Sequence, residues 1–171
     1  MNLDDTLTLE QLSVSFSTDD GVLPAVHAVS LSLPPAGITC LVGESGCGKS
    51  LTARAILHLL PENAHISGRI LFRGRDLRTM TPEEMRALRG RHIAMIFQEP
   101  MTSLNPVLKV GMQTAEPLRL HLGLSRSEAR QEVIRLFSEV GIPAAESRYD
   151  DYPHQLSGGM RQRVMIAMAL A

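Results

Sequence analysis

The chain has 171 residues, 44% of them hydrophobic, with 17 basic side chains against 18 acidic ones and a formal net charge of −1. That length holds one domain or a little more, with enough apolar side chain for a real core. The near-neutral charge excludes the strongly electropositive class of nucleic-acid binders.

No apolar run reaches the roughly 18 residues of a membrane span; the longest is Val164 to Ala171. The polar, acidic start Met1–Asp5 does not read as a secretory leader. Two cysteines, Cys40 and Cys47, form no disulfide framework and fit a reducing cytosol. The six histidines lack paired ligand spacing, so no protein-built metal site is expected.

In chain order, Leu7, Leu9, Leu12, Val14 and Phe16 alternate like a half-buried strand with a slip in the middle. Val29, Leu31 and Leu33 form a second alternating run that Pro34 and Pro35 end. The short, nearly continuous apolar run Ile38–Val42 predicts a strand covered on both faces. After a glycine-rich turn, Leu51, Ala55, Ile56, Leu59 and Leu60 predict a helix stopped by Pro61. Arg69–Phe72 and Ile93–Phe97 read as further strands. Between them a short helix starts at Thr81, with Pro82 first and Glu84 closing a capping box. From Gln98 to Gln155 the pattern turns helical, and Ser125 and Glu128 form a second capping box. A last helix starts at Ser157-Gly158-Gly159 and carries Met160, Val164, Ala167, Met168 and Ala171 on one face.

Gly43 to Ser50 matches the phosphate-loop pattern GxxxxGK[ST] in full. Glycines let the backbone approach closely and turn its N–H groups inward, and the following helix adds its positive end. Lys49 is then the point charge for the β and γ phosphates and Ser50 a hydroxyl ligand for Mg²⁺. Only Lys49 and Lys109 are lysines, against 15 arginines, which makes a lysine at this position informative. The phosphate-binding run is Gly43, Glu44, Ser45, Gly46, Cys47, Gly48, Lys49, Ser50 and Leu51. A serine-hydrolase elbow fails because position 47 is Cys.

Leu156-Ser157-Gly158-Gly159-Met160-Arg161-Gln162-Arg163 is a second anion-type helix start, with a hydroxyl N-cap and two small residues. This run resembles the LSGGQ signature of ATP-binding cassette (ABC) ATPases, with Met160 where Gln is commoner. Phe97 to Pro106 resembles the ATPases of dipeptide, oligopeptide and nickel importers. The resemblance covers essentially the whole chain. It implies an α/β P-loop NTPase fold: an incomplete RecA-like core, an N-terminal antiparallel β subdomain and an inserted α-helical subdomain. The implied division is 1–97 for the nucleotide-binding core, 98–157 for the Q-loop and helical subdomain, and 158–171 for the signature helix.

By the same resemblance, Lys49 and the Q-loop glutamine Gln98 are catalytic, with Ser50 and Gln98 at Mg²⁺. Phe16 is the aromatic for adenine, and Val26 packs near the ribose. Ser157, Gly158 and Gly159 reach the γ phosphate of ATP on a second ABC subunit in a head-to-tail dimer. Glu99–Val110 is the expected transmission surface toward a membrane permease. The protein would then be peripheral at the cytoplasmic face of the inner membrane and bind no nucleic acid. The arginines between Arg69 and Arg91 read as a solvated face offset by Asp76, Glu83 and Glu84.

The family's Walker B strand, catalytic Glu and switch histidine would follow the signature helix, and none occurs in these residues. Asp150, Asp151 and His154 do not fit those roles. The sequence therefore reads as a chain cut before its catalytic carboxylates, expected to bind nucleotide weakly, to turn over none and to aggregate. Its intact form is expected to be an ATPase driving uptake of peptides or nickel. A P-loop small-molecule kinase and a non-transport ABC ATPase stay open as alternatives.

Overall fold

The computed structural model describes residues 6–99 and 103–171. It is an α/β protein whose chain divides into two compact units, one up to Arg86 and one from Ala87.

The first unit is built on a four-stranded antiparallel sheet of order β2-β1-β3-β4. The strands are β1 (Leu7–Thr18), β2 (Gly21–Leu33), β3 (Ala64–Phe72) and β4 (Arg75–Asp76). The slip read in the sequence is a β-bulge. Leu7 and Leu9 are buried, then Leu12 and Val14. The register with both neighbours jumps between them, where Gln11 takes φ 50°. β2 starts eight residues before the apolar alternation at Val29 begins, and it contains Pro24. Pro24 is tolerated because β2 is an edge strand, where one row of N–H groups has no ladder to join.

Helix α1 (Lys49–Ile56) packs against β1 and β2. It ends four residues short of the expected stop. His58 takes φ 53°, and Leu60 precedes Pro61, whose ring disfavours the helical region for the residue before it. Helix α2 (Pro82–Leu88) has the expected box: the Thr81 amide donates to Glu84 Oε2 at 2.9 Å, and the Glu84 amide to Thr81 Oγ1 at 3.2 Å.

Two expected strands are not strands. Residues 37–44 form no ladder, and Ile38 and Val42 are 96% and 89% exposed. Residues 94–97 are likewise irregular, Ile93 bridges only Arg89, and Phe97 is 38% exposed. An apolar run becomes a two-faced strand only between two partner strands, and the described sheet offers it none.

The second unit is helical: α3 (Val110–Leu122), α4 (Arg126–Glu139), the single turn α5 (Ala145–Arg148) and α6 (Gly158–Leu170). α3, α4 and α6 pack pairwise around Val110, Leu118, Val133, Phe137, Val164 and Ala167, all nearly inaccessible. The second capping box is also formed, with Ser125 Oγ and Glu128 Oε2 each accepting the other's amide. Among the described residues, no helix is long and apolar enough to cross a membrane.

Candidate functional site

The loop Gly43–Gly48 belongs to the first unit and leads into α1. Its turn is closed by the Cys47 amide donating to the Glu44 carbonyl at 3.3 Å. The Lys49 ammonium folds over the loop and donates to the Gly43 and Glu44 carbonyls, both at 2.7 Å, with Cys47 Sγ at 3.4 Å. Gly48 caps the helix with φ 91° and no side-chain cap. A Cβ there would lie 2.9 Å from both the Ala25 carbonyl oxygen and Val26 Cγ2, so only glycine lets the loop rest on β2. A Cβ on Gly43 would lie 2.7 Å from Cys47 Sγ, inside the cradle itself.

Thr52 completes the turn, and the sequence reading did not single it out. Buried to 4% exposure, it donates both its amide and its hydroxyl to the Gly48 carbonyl, at 2.9 and 3.0 Å. That is the first intrahelical bond, so the amides of Gly48, Lys49, Ser50 and Leu51 have no helical acceptor. They present the positive end of α1 at an exposed loop, beside an ammonium. Such a run of unpaired amide donors suits a chain of phosphates, and the exposed Ser50 hydroxyl is a hard oxygen of the kind Mg²⁺ takes. Among the described residues no cluster of His, Cys, Asp and Glu could hold a metal by itself.

Val26 is buried against Gly48 and thus forms part of the loop's wall. Phe16 is half-buried on β1, paired with Leu23 on β2 and Ala64 on β3.

The second helix start belongs to the helical unit. Ser157 Oγ accepts the Met160 amide at 3.3 Å, the expected N-cap of α6. Leu156 is buried just before it, and the Tyr152 amide is held by Gln155 Oε1 at 2.7 Å. Gly158 and Gly159 are exposed, and a Cβ on either would meet nothing within 4 Å. Arg163, which the sequence reading passed over, donates to the Val140 and Gly141 carbonyls at 2.7 and 3.0 Å and so ties α6 to the C-terminal end of α4. Gln98 lies exposed in the bend after Phe97. Of the expected transmission segment Glu99–Val110, Pro100, Met101 and Thr102 lie outside the described residues.

Three carboxylates at helix ends have pKa values lowered by their partners. Asp150 is held below the usual carboxylate range, first by the Lys109 ammonium and then by Arg130. Glu84 is lowered by the Thr81 amide and Arg75, and Glu128 by Ser125.

Residues 26–171 match the family model described as ABC transporter. The chain is 49% identical over 170 residues to the dipeptide transport ATP-binding protein DppD of Bacillus subtilis, covering 98% of this chain and 51% of that protein. It is 51% identical over 172 residues to the peptidoglycan transport ATP-binding protein YejF of Agrobacterium fabrum, covering 99% of this chain and 32% of that one. The chain thus spans about half of one of these curated relatives and about a third of the other. Its fold superposes on the dimeric ATP-binding cassette MJ0796 bound to ADP and Pi with a TM-score of 0.85 at 25% identity, covering 96% of this chain and 69% of that one.

Proposed function

The chain belongs to the ABC transporter family, and on that premise we propose that it carries the nucleotide-holding part of an importer's ATPase subunit. The observation that carries the proposal is the loop at Gly43–Gly48: a turn with no room for a side chain at position 48, opening on an uncapped helix end with Lys49 across it. ATP supplies the phosphoanhydride whose cleavage drives the cycle. The chain's own residues bind and orient it. The amides from Gly48 to Leu51 receive phosphate oxygens, Lys49 exchanges its carbonyl partners for the β and γ phosphates, and Ser50 with Gln98 serves Mg²⁺. Phe16 lies against the adenine and Val26 near the ribose.

In the whole protein, Ser157, Gly158 and Gly159 face the γ phosphate on a second ABC subunit in a head-to-tail dimer. What supports this is the open space at both glycines, which the chain's own packing leaves unused. The relatives' names suggest import of peptides through a membrane permease, with nickel as the further alternative. The identities to a dipeptide and to a peptidoglycan transport protein are near-equal, at 49% and 51%, and favour no single cargo. The permease meets the helical unit along Glu99–Val110, which puts the protein at the cytoplasmic face of the inner membrane. Functionally the chain divides into 1–97, 98–157 and 158–171.

The test is titration of the 171-residue chain with a fluorescent ATP analogue and Mg²⁺. Weak saturable binding that Lys49→Ala removes, without phosphate release, is the expected result. Absence of binding by a folded chain overturns the nucleotide reading. Steady phosphate release that Lys49→Ala abolishes overturns the expectation that this chain turns over none.

A further inference from the structure

Strands β1 and β2 each contain a non-glycine residue in the left-handed region, Gln11 at φ 50° and Ala28 at φ 47°. Each sits in a bulge, and a serine of the opposite strand takes its amide. The Gln11 amide donates to Ser30 Oγ at 3.0 Å, and the Ala28 amide to Ser13 Oγ at 2.8 Å.

The bulge at Ala28 decides which side chain reaches the phosphate loop. Leu12 pairs with Val29 and Val14 with Val26, so His27 and Ala28 stand opposite Ser13 alone. Residues paired directly across two strands share a face, and Leu12 and Val14 are both buried. Val26 and Val29 therefore face the same way although three positions separate them, which regular alternation along a strand does not allow. In a regular β2, His27 would stand opposite Val14, and Val26 would turn to the other face. The structure instead buries Val26 and leaves His27 exposed. Val26, with the Ala25 carbonyl, is what Gly48 rests on. An alanine at positive φ keeps this shape only if its displaced amide is satisfied, and the Ser13 hydroxyl satisfies it.

We propose that Ser13 is a positioning residue for the phosphate loop. Its hydroxyl holds the Ala28 bulge, the bulge turns Val26 toward Gly48, and Gly48 sets the first amides of α1 for phosphate. Ser30, the matching serine at the other bulge, serves the sheet alone. The proposal takes its ligand from the nucleotide reading above, while the seating of the loop is measurable without nucleotide.

The test compares Ser13→Ala, Ser13→Thr and Ser30→Ala in the 171-residue chain. Hydrogen exchange is read at the Thr52 amide, which bonds the Gly48 carbonyl. Affinity is read by titration with a fluorescent ATP analogue and Mg²⁺, and overall stability by urea. Ser13→Ala should speed Thr52 exchange beyond what its loss of stability accounts for, and weaken the analogue about tenfold. Ser13→Thr keeps the hydroxyl and should return both to within about twofold of wild type. Ser30→Ala should speed Thr52 exchange only as far as its own loss of stability accounts for, with affinity within about twofold. If Ser13→Ala does not fold, the series is read in an Ala28→Gly background, where the positive φ carries no cost. Unchanged exchange or affinity in Ser13→Ala, no rescue by Ser13→Thr, or equal weakening by Ser30→Ala overturns the inference and leaves the nucleotide reading standing. A wild-type chain that binds no analogue overturns the nucleotide reading, and Thr52 exchange in the variants then upholds or overturns the seating by itself.

Discussion

The chain contains two helix starts rich in glycine, and they use it for opposite reasons. At Gly48 the backbone has φ 91° and a Cβ would strike Ala25 and Val26 of β2. The fold of the first unit itself demands glycine there, and no side chain caps the helix. At α6 the cap is an ordinary serine hydroxyl, and Gly158 and Gly159 have open space where a Cβ would stand. The helical unit would fold with alanine at either position. The first start is thus shaped by its own chain, and the second leaves open space that its own chain does not use.

The sharpest way to break this comparison is Gly48→Ala. The positive φ alone costs about 1–2 kcal/mol for a residue with a Cβ, and the 2.9 Å contacts add to it. We expect loss of nucleotide binding and a lowered urea midpoint. A variant that binds the ATP analogue as well as wild type would show that the loop does not rest on β2. Next in size is Lys49→Ala, which removes a charge-assisted donor worth about 2 kcal/mol, or ~30-fold in analogue affinity by titration. Its thermal stability should barely move, because the two carbonyls it releases at Gly43 and Glu44 are exposed to water.

Local signals were legible where the interaction that makes the structure is itself local. Both capping boxes, the Ser157 cap, the glycine turn and the bulge in β1 lie within a few residues of the sequence cue that announces them. Ile38–Val42 and Ile93–Phe97 were misread because a strand exists only with its partners, and a run of β-branched residues says nothing about their presence. Pro24 concealed the first half of β2, since only its edge position makes proline acceptable. Within the site, the pattern picked out Lys49 and the glycines but not Thr52, whose role is to bury the Gly48 carbonyl. Arg163 was equally invisible, because its carbonyl partners at the α4 end lie 23 and 22 residues away, at a distance no periodicity encodes.

Smaller effects sharpen the second start. Ser157→Ala should cost about 1 kcal/mol of the helical unit's stability by urea denaturation, the usual loss of an N-cap hydroxyl. If it costs nothing, α6 is held by Arg163 and its core face alone. The carboxylates at the helix ends add a pH dependence. Glu84, Glu128 and Asp150 have folded pKa values below their ordinary 4.5, 4.5 and 3.8. Their contributions are therefore present above those ordinary values and are lost as pH falls through the lower, folded ones. The urea midpoint should drop on acidification from pH 5 toward about pH 3. Glu128→Gln, which keeps an acceptor for the Ser125 amide but does not titrate, should flatten part of that slope.

The smallest expected effect on the chain is the most discriminating. Gly158→Ala places a methyl group in open space on the first turn of α6 and replaces the poorer helix former. Thermal stability should stay the same or rise by a few tenths of a kcal/mol, and analogue binding at Gly43–Ser50 should not change. In the assembled ATPase the same methyl group would occupy the approach to the partner's γ phosphate, so ATP-dependent association, measured by light scattering, should be lost. A neutral mutation within one chain that abolishes association between two is what separates a glycine kept for a partner from one kept for the fold. Measurable unfolding of the chain by Gly158→Ala would erase that distinction and make both starts products of internal packing.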